Sequence, residues 1–327
     1  VNIDAMLSYK KKFGWFDVDA MVGASVYDSM RNYQWASTDG GLLQPDLYNV
    51  TNSTNSPKVT TTIQRRRMEG VFGTATFGAL NAIFLTFTGR NDWSSTLNQD
   101  NNSFFYPSVS LSGVMTSLIN LPKAISFWKV RGSWAKVGFD QSSVYLLENS
   151  YSFNKYWGNN ASMTPPTLVI DKGIKPYFTN SLEIGTDIRF FDNRLRLDFS
   201  YYRTKDEGQI QQVDINQSSG YSKLLTNGND YRRKGYEVIL GTVPVRTRDW
   251  EWKMDMNWSL TRKYLGRIYN GAYTYNNLKV GDRADAIYAQ VWQRDPEGNF
   301  IVYENNGRPI EDPYKRIIGY SGPDWEF

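Results

Sequence analysis

The chain has no cysteine and no histidine among its 327 residues. Without cysteine it has neither disulfide bonds nor thiol chemistry. Without histidine it supplies no imidazole base, no Ser-His-Asp triad and no histidine ligand for a metal. Carboxylate pairs are present, but none has a spacing that singles it out for acid–base chemistry. We therefore expect no enzyme activity, no metal site and no cofactor.

Long apolar runs and a strong net charge are also missing. No run approaches the roughly 18 apolar residues of a membrane-spanning helix. That excludes helical spans but not barrel strands, in which only alternate residues are apolar. The 37 Lys+Arg against 33 Asp+Glu give a formal charge of +4. This near-balance gives no reason to expect nucleic acid as a partner.

Apolar and polar residues alternate one by one through most of the chain, as in antiparallel strands with one apolar face. The clearest case is the hairpin at 181–202, with a turn at 191–194. We count about ten such strands along the whole chain, joined alternately by tight turns and long polar loops. Many run for roughly 9–12 residues, near the 9–11 of a tilted membrane strand and above the 5–6 of soluble strands. We predict an all-β fold, an antiparallel transmembrane β-barrel that is present here as a partial barrel of about ten to twelve strands.

The alternation assigns each strand residue to one of two faces. We predict that the lipid-facing residues are Leu182, Ile184, Ile188, Leu195, Leu197, Phe199, Met254, Met256 and Trp258. We predict that the lumen-facing residues are Arg131, Lys136, Glu183, Asp187, Arg189, Arg196, Asp198, Glu237 and Asp255. A charge on the lipid face would cost about 2–4 kcal/mol at mid-membrane, which supports this direction. Aromatics beside the tight turns, such as Trp15, Trp128 and Trp250, would form a girdle at one interface.

Long polar loops are expected at about 27–64, 139–179 and 205–230. Aromatic rings among their Asn, Ser and Gly residues suit stacking on sugars. The candidate ligand contacts are Tyr145, Tyr151, Phe153, Tyr156, Trp157 and Trp35. Packing between loops, or contact with a partner lipoprotein, is the alternative role for these rings. We expect the arginine run at 65–67 to pair with loop carboxylates or with lipopolysaccharide phosphate.

Beyond Arg262 the alternation weakens. Short strands are expected at Ile287–Val291 and Phe300–Tyr303, flanking a turn at Asp295–Asn299. The same alternation would also suit a soluble sandwich. Strand length, the one-sided loop asymmetry and the aromatics at strand ends favour the membrane.

Several stretches resemble the SusC-like (RagA-like) family, the TonB-dependent outer-membrane transporters of Bacteroidetes. They are Gly-Arg-Asn-Asp-Trp-Ser-Ser at 89–95, Phe-Tyr-Pro-Ser-Val-Ser at 105–110, Lys-Val-Arg-Gly-Ser-Trp at 129–134, and the segments 180–195, 218–221, 233–237 and 318–324. Each stretch is weak alone, but their order and spacing extend the resemblance from Met68 to Asp324. The first sixty residues fit by pattern only.

The resemblance implies a barrel of about twenty-two strands, of which residues 1–327 would be one partial barrel domain from the C-terminal part. The signal peptide, TonB box, plug and terminal strands would be absent from it, and the rest of the same barrel would complete the wall.

The resemblance also implies a function and partners. A whole protein would import a large nutrient across the outer membrane, an oligosaccharide first and a peptide as the alternative. Its partners would be a SusD-like surface lipoprotein, TonB through an N-terminal region, and membrane lipid or lipopolysaccharide. From the residues alone, a soluble all-β carbohydrate-binding or adhesion protein stays open as a rival of another class.

Overall fold

The computed structural model describes residues 1–141, 143–153, 160 and 162–327. The strands are β1 (Asn2–Phe13), β2 (Phe16–Leu42), β3 (Ser53–Ala79), β4 (Ile83–Ser94), β5 (Ser103–Val114), β6 (Ile125–Phe139), β7 (Ser152–Phe153), β8 (Met163–Thr164), β9 (Leu168–Ile170), β10 (Tyr177–Phe190), β11 (Leu195–Glu207), β12 (Ile210–Asp214), β13 (Lys223–Asn227), β14 (Asp230–Arg246), β15 (Glu251–Arg267), β16 (Ala286–Ala289) and β17 (Arg316–Tyr320). One short helix, α1 (Met115–Leu118), follows β5. None of the helices among the described residues is long and apolar enough to cross a bilayer.

Ten of these strands form one sheet in the order β1-β2-β3-β4-β5-β6-β10-β11-β14-β15. Each strand pairs antiparallel with its neighbour in this order, so the sheet is a continuous meander. Tight turns at 14–15, 80–82, 191–194 and 247–250 lie at one end of the strands, and the long connections 140–176 and 208–229 lie at the other. The fold is therefore the predicted antiparallel membrane-barrel wall, present as a partial, open barrel.

The pairing register separates two faces across the sheet, because residues directly opposite each other point to the same side. Asp187 lies opposite Asp198, and Ile188 lies opposite Leu197. The same parity continues through β14 to β15, where Gly241 lies opposite Asp255 and Leu240 opposite Met256. All nine residues predicted as lipid-facing share one side of the sheet, which we call the apolar face. The polar face carries eight of the nine residues predicted as lumen-facing.

The exception is Lys136. It lies opposite Asn180, on the side of Trp134 and Leu182 and not on the side of Arg131. Its separation of five residues from Arg131 is an odd number, and an odd step in a strand reaches the other face. The prediction that Lys136 shares the polar face is wrong.

In the described part of the chain, no second sheet packs on the apolar face. Leu111 is 53% exposed, Ile184 is 55% exposed and Val22 is 53% exposed. The buried apolar clusters lie among the connections and strand ends instead. The first contains Leu97, Phe104, Ile174 and Leu225, and the second contains Leu265, Ile268 and Leu278. A soluble sandwich would bury this face against a facing sheet, so the architecture does not fit that rival.

The predicted loop at 27–64 is wrong. Strands β2 and β3 stay paired from Phe16 opposite Ala79 to Leu42 opposite Ser53, while β4 ends at Ser94 opposite Met68. The pair therefore continues past β4 as a two-stranded extension, here called the outer ribbon (residues 28–42 and 53–67). Its Val-Thr-Thr-Thr-Ile segment at 59–63 consists of β-branched residues, which favour strands despite the polar composition.

The weaker pattern near the end of the chain gives a mixed result. Strand β16 (Ala286–Ala289) overlaps the predicted strand at Ile287–Val291 and pairs with β17. The expected strand at 300–303 is wrong, since only isolated bridges from Phe300 and Val302 occur there. The turn at Asp295–Asn299 is confirmed by the backbone bonds of Asp295 with Asn299 and Gly298, 3.0 Å each.

The two outer edges of the sheet differ. Beyond β1, no strand of the described residues pairs with the sheet. Along β15, the backbone of Leu265 bonds to Asp282 (2.9 Å), and Ser259 bonds to Glu326 in both directions (2.9 Å). Arg283 fixes this cover through Asp285 (2.7 Å) and Asp324 (2.6 Å). Its hydrogen bond lowers the pKa of the Asp285 carboxyl.

Gly23 tests how tightly the sheet is packed on its polar face. A Cβ at Gly23 would lie 2.6 Å from the Phe72 ring and 2.9 Å from the Ala5 carbonyl oxygen. We expect Gly23→Val to destabilise the sheet by about 1–3 kcal/mol through overpacking. Gly132→Val is the matched control, because the nearest atom to its Cβ would be 3.9 Å away. Unfolding of the full-length protein in detergent, followed by heat-modifiable gel mobility, measures both. Equal stability of the two variants would contradict this packing.

Candidate functional site

The polar face continues outward along the outer ribbon. Tyr27, the last residue of β2 before the outer ribbon, is followed at odd-numbered positions by Arg31, Tyr33 and Trp35. These four residues, called the ribbon stripe, have the parity of Ser25 and therefore extend the polar face. Tyr27 is 41% exposed, Tyr33 50% and Trp35 59%. The stripe therefore presents three aromatic rings and one guanidinium on the polar side of the ribbon. The predicted loop at 27–64 had not assigned these side chains to either face.

A groove of about 250 Å³ lies at the base of the stripe. Its lining residues are Tyr27, Ser29, Arg31, Gln64, Arg66, Ser143 and Val144. Arg31 Nη1 lies 3.5 Å from the Tyr33 hydroxyl and donates to it. The groove therefore has two arginines and a tyrosine on the ribbon side and the loop residues Ser143 and Val144 on the other side. Such a mixture of rings and donors suits a hydroxyl-rich or amide-rich ligand.

The arginine run at 65–67 is neutralised by carboxylates. Arg66 donates to both carboxyl oxygens of Asp140, at 2.7 and 2.8 Å. The two flanking arginines behave alike, and their partners are Asp28 for Arg65 (3.1 Å) and Glu69 for Arg67 (2.6 Å). The hydrogen bond from Arg65 lowers the pKa of the Asp28 carboxyl. Of the two predicted partners, the structure contains the carboxylates.

The Arg66–Asp140 pair ties the long connection 140–176 to the ribbon. Asp140 also accepts hydrogen bonds from the Ser94 hydroxyl (2.5 Å) and the Thr96 hydroxyl (3.0 Å). The side chain of Asp140 is 10% exposed and that of Arg66 is 27% exposed. Because the pair is largely desolvated and multiply hydrogen-bonded, removing one partner would leave the other charge uncompensated.

The predicted aromatic cluster is only partly brought together. The Tyr145 hydroxyl accepts a hydrogen bond from the Arg65 backbone nitrogen (3.2 Å), so this ring packs on the ribbon. Tyr151 and Phe153 are exposed, at 65% and 58%. Tyr156 and Trp157 lie outside the described residues. Trp35 belongs to the ribbon stripe. Among the described members of the set, the structure thus links Tyr145 to the ribbon that carries Trp35.

On the polar face of β6, β10 and β11, charges pair across strands. Arg131 donates to Asp198 at 2.9 and 3.2 Å and to the Ser200 hydroxyl at 2.6 Å. Gly185 makes room, since a Cβ there would lie 2.7 Å from the guanidinium carbon of Arg131. We call the ion pairs on the polar face of β6, β10 and β11 the charge ladder. Its remaining pairs are Arg131–Glu183 (3.7 Å), Arg189–Asp187 (2.9 Å) and Arg196–Asp187 (3.9 Å). The ladder therefore presents little uncompensated charge.

A second polar network went unnoticed in the sequence. Arg90 donates to Asp92 (2.8 Å) and to the Ser25 hydroxyl (2.9 Å), and Tyr106 hydrogen-bonds the other oxygen of Asp92. A Cβ at Gly70 would lie 2.2 Å from an Asp92 oxygen. The sequence feature that could have indicated this network is Arg90 and Asp92, which are two residues apart in the segment 89–95. No group of three or more acidic residues among the described ones could hold a metal ion.

Comparison with protein families gives one match that covers nearly all of the chain. The model described as "TonB dependent receptor-like, beta-barrel" matches residues 3–313. The chain belongs to this family. It is accordingly an outer-membrane β-barrel protein, and its two-faced sheet is a TonB-dependent receptor barrel wall.

Relatives of this TonB-dependent receptor chain occur in Formosa agariphila. TonB-dependent receptor P3 is 23% identical over 306 residues, covering 92% of this chain and 31% of that protein. TonB-dependent receptor P26 is 24% identical over 271 residues, covering 77% of this chain and 26% of that protein. The chain spans about a third or less of the length of these relatives.

Among solved structures, the RagAB peptide transporter shares the fold with a TM-score of 0.83 at 16% identity, covering 99% of this chain and 38% of that chain. The "closed-closed" state of the RagAB peptide importer gives a TM-score of 0.82. These likenesses bear out the SusC-like resemblance for the fold.

The Arg66–Asp140 pair generates a prediction about loop docking. We expect Asp140→Asn to cost about 1–3 kcal/mol locally, since the largely buried Arg66 loses its counter-charge. Amide hydrogen exchange in 139–145 should then speed up about tenfold. Glu69→Gln is the matched control, because the Arg67–Glu69 pair is about half exposed and exposed pairs contribute about 0–1 kcal/mol. Unchanged exchange in Asp140→Asn would show that this ion pair does not hold the loop.

Proposed function

We propose that the chain supplies wall and outer-loop surface to a TonB-dependent active importer of large nutrients in the outer membrane. The observation that supports this proposal is that the sheet has one apolar face and one polar face. Its apolar face lies open, and its polar face leads without interruption into the ribbon stripe. A wall with these properties suits lipid on one side and a ligand path on the other. We also propose that residues 1–327 form one partial barrel domain of the whole protein.

The orientation of the two faces is the first element of the proposal. Ile184, Leu111 and Val22 contact acyl chains, and Asp187, Asp198 and Asp255 face the lumen. Exposed aromatics near the tight turns support this, since Trp15 is 67% exposed and Trp250 is 77% exposed. Trp at such positions is typical of the membrane–water interface. The tight turns then lie on the periplasmic side and the outer ribbon on the cell surface.

An oligosaccharide is the cargo that we propose. The ribbon stripe offers flat rings for pyranose faces, and Arg31 and Gln64 at the groove offer donors for hydroxyl groups. The alternative is a peptide, because the RagAB structures are those of a peptide importer. A peptide would use the same groove through its amides. The loop aromatics Tyr145, Tyr151, Phe153, Tyr156 and Trp157 stay a prediction as further contacts.

The proposed partners follow from the two ends of the wall. The outer ribbon and the long connections 140–176 and 208–229 rise on one side, where a SusD-like surface lipoprotein would cover the groove. TonB would couple inner-membrane energy through another part of the whole protein. Membrane lipid and the remaining barrel strands would contact the apolar face and the edge of β1.

The cargo is tested on the full-length transporter. We expect the pair of substitutions Tyr33→Ala and Trp35→Ala to weaken oligosaccharide binding about tenfold, since each ring contributes about 0.5–1.5 kcal/mol by stacking. Isothermal titration with glycan and oligopeptide panels is the measurement. Tyr48→Ala is the control, because Tyr48 lies off the stripe and is 83% exposed.

Three outcomes of this titration can be told apart. Loss of glycan binding alone supports the oligosaccharide. Loss of peptide binding alone selects the alternative cargo. Unchanged binding of both ligands removes the stripe from the site.

The orientation is tested with single cysteines in lipid nanodiscs, using a full-length protein that has no other cysteine. Phe199→Cys and Met256→Cys should react with a bilayer-soluble maleimide and stay protected from a charged one. Asp255→Cys and Asn257→Cys, on the neighbouring positions of β15, should show the reverse preference if the lumen is wet. Equal reactivity of the two pairs would contradict the assigned faces.

A further inference from the structure

The apolar face turns basic toward the outside of the cell. Three cations lie side by side in one row across three strands, with Arg203 opposite Lys234 and Lys234 opposite Arg262. One row further out, Lys205 lies opposite Arg232. Together these five residues form the outer basic patch. All five have the parity of Leu197, Leu240 and Met256, so the patch sits on the apolar face and not on the ligand side.

Such a row is unfavourable in isolation. Strands lie about 4.8 Å apart, so Arg203, Lys234 and Arg262 fall within about 10 Å of each other. Like charges directly opposite one another destabilise a sheet. On the polar face of the same sheet this problem is avoided, because Arg131 of β6 and Arg189 of β10 each have an aspartate partner. The difference between the faces indicates that the row's counter-charge comes from outside the described chain.

The hydrogen-bonding capacity of the patch is also incompletely used. Within the described residues, Arg203, Arg232 and Lys234 form no ion pair, and the Nε atom of Arg262 is buried without an acceptor. Arg262 has one distant partner, Asp324, at 3.5 Å. Lys205 pairs with Glu207. Three exposed cations, Arg203, Arg232 and Lys234, therefore remain for an external anion.

The surroundings of the patch match a lipid boundary. Immediately below the row lie Tyr201 and Tyr236, whose rings are 5.0 Å apart. Below them follow Phe199, Val238 and Trp258 in one row. Arg203, Arg232 and Lys234 line a groove of about 420 Å³, together with Tyr201 and Tyr264. Apolar, aromatic and basic tiers thus follow each other outward, as acyl chains, interface and headgroup do in a leaflet.

We propose that the outer basic patch binds the phosphate groups of lipopolysaccharide in the outer leaflet. This rests on the proposed orientation of the apolar face. Arginine and lysine in a row offer several charge-assisted hydrogen bonds to phosphate oxygens. The patch, and not the arginine run at 65–67, has the unpaired cations. The continuity with the acyl-facing rows favours a lipid headgroup over free phosphate.

The test measures retention of bisphosphorylated lipid A by the full-length protein in detergent, by native mass spectrometry. The triple variant Arg203→Gln, Arg232→Gln, Lys234→Gln should retain roughly 10- to 100-fold less lipid, since each basic residue near an anionic surface contributes on the order of a few-fold to tenfold. The matched control, Lys123→Gln, Arg248→Gln, Lys253→Gln, removes three exposed cations from the tight-turn side and should retain lipid like the parent. Equal loss in both variants would overturn the proposal.

Two further arms identify the source of the phosphate. Dephosphorylated lipid A should bind no better to the parent than to the triple variant, and millimolar inorganic phosphate should not displace the lipid. Displacement by inorganic phosphate would show that the patch is a site for free phosphate and not for the glycolipid. If the triple variant fails to fold, the parent protein in rising salt decides the question. Retention that persists unchanged in 1 M NaCl, where screening acts within about 3 Å, would overturn the proposal. The cysteine-labelling result tells this failure apart from a failure of the assigned orientation.

Discussion

The whole wall depends on one constraint, which is that ten strands keep a common pairing register. A slip of a single residue in any strand would move its apolar set to the polar side. The buried apolar clusters of residues 1–141, 143–153 and 162–327 lie among the connections and strand ends, so they do not correct such a slip within the sheet. Side-chain pairs between neighbouring strands must therefore fix the register. The Arg131–Asp198 and Arg90–Asp92 networks, which span several strands, are placed to do so.

Glycines make these networks possible. The ladder arginine Arg131 occupies the space above Gly185, and Asp92 with Arg90 occupies the space above Gly70. A side chain at either glycine would push a charged group off its partner. Glycine usually weakens a strand because it packs nothing. Here the lost packing is offset, because each glycine leaves room for an arginine that hydrogen-bonds to a residue two strands away. These glycines therefore support the polar networks of the wall.

Alternation in the sequence was sufficient to predict the sheet, its two faces and the ends with tight turns. It worked because each strand repeats a local, period-two signal. It failed where the signal depended on partners far away. The residues 59–63 form a strand because β2 continues opposite them, and Arg66 meets Asp140 across 74 residues of sequence. Lys136 lies on the apolar face because it is an odd number of residues from Arg131 in the same strand. The roles of Gly70 and Gly185 were hidden because a glycine in sequence does not show which side chain fills its space.

The distribution of charge separates two uses of the same residue types. On the polar face the ladder arginines are paired with carboxylates within the chain, so the wall keeps a mixed and nearly neutral surface beside the ligand path. Arg203, Arg232 and Lys234 on the other face have no such partner among the described residues, although both faces belong to the same sheet. If all these cations served only solubility, there would be no reason for this difference. A barrel wall meets a polar interior on one side and an ordered, anionic leaflet on the other. Internal pairing suits the first environment, and cations left for an external anion suit the second.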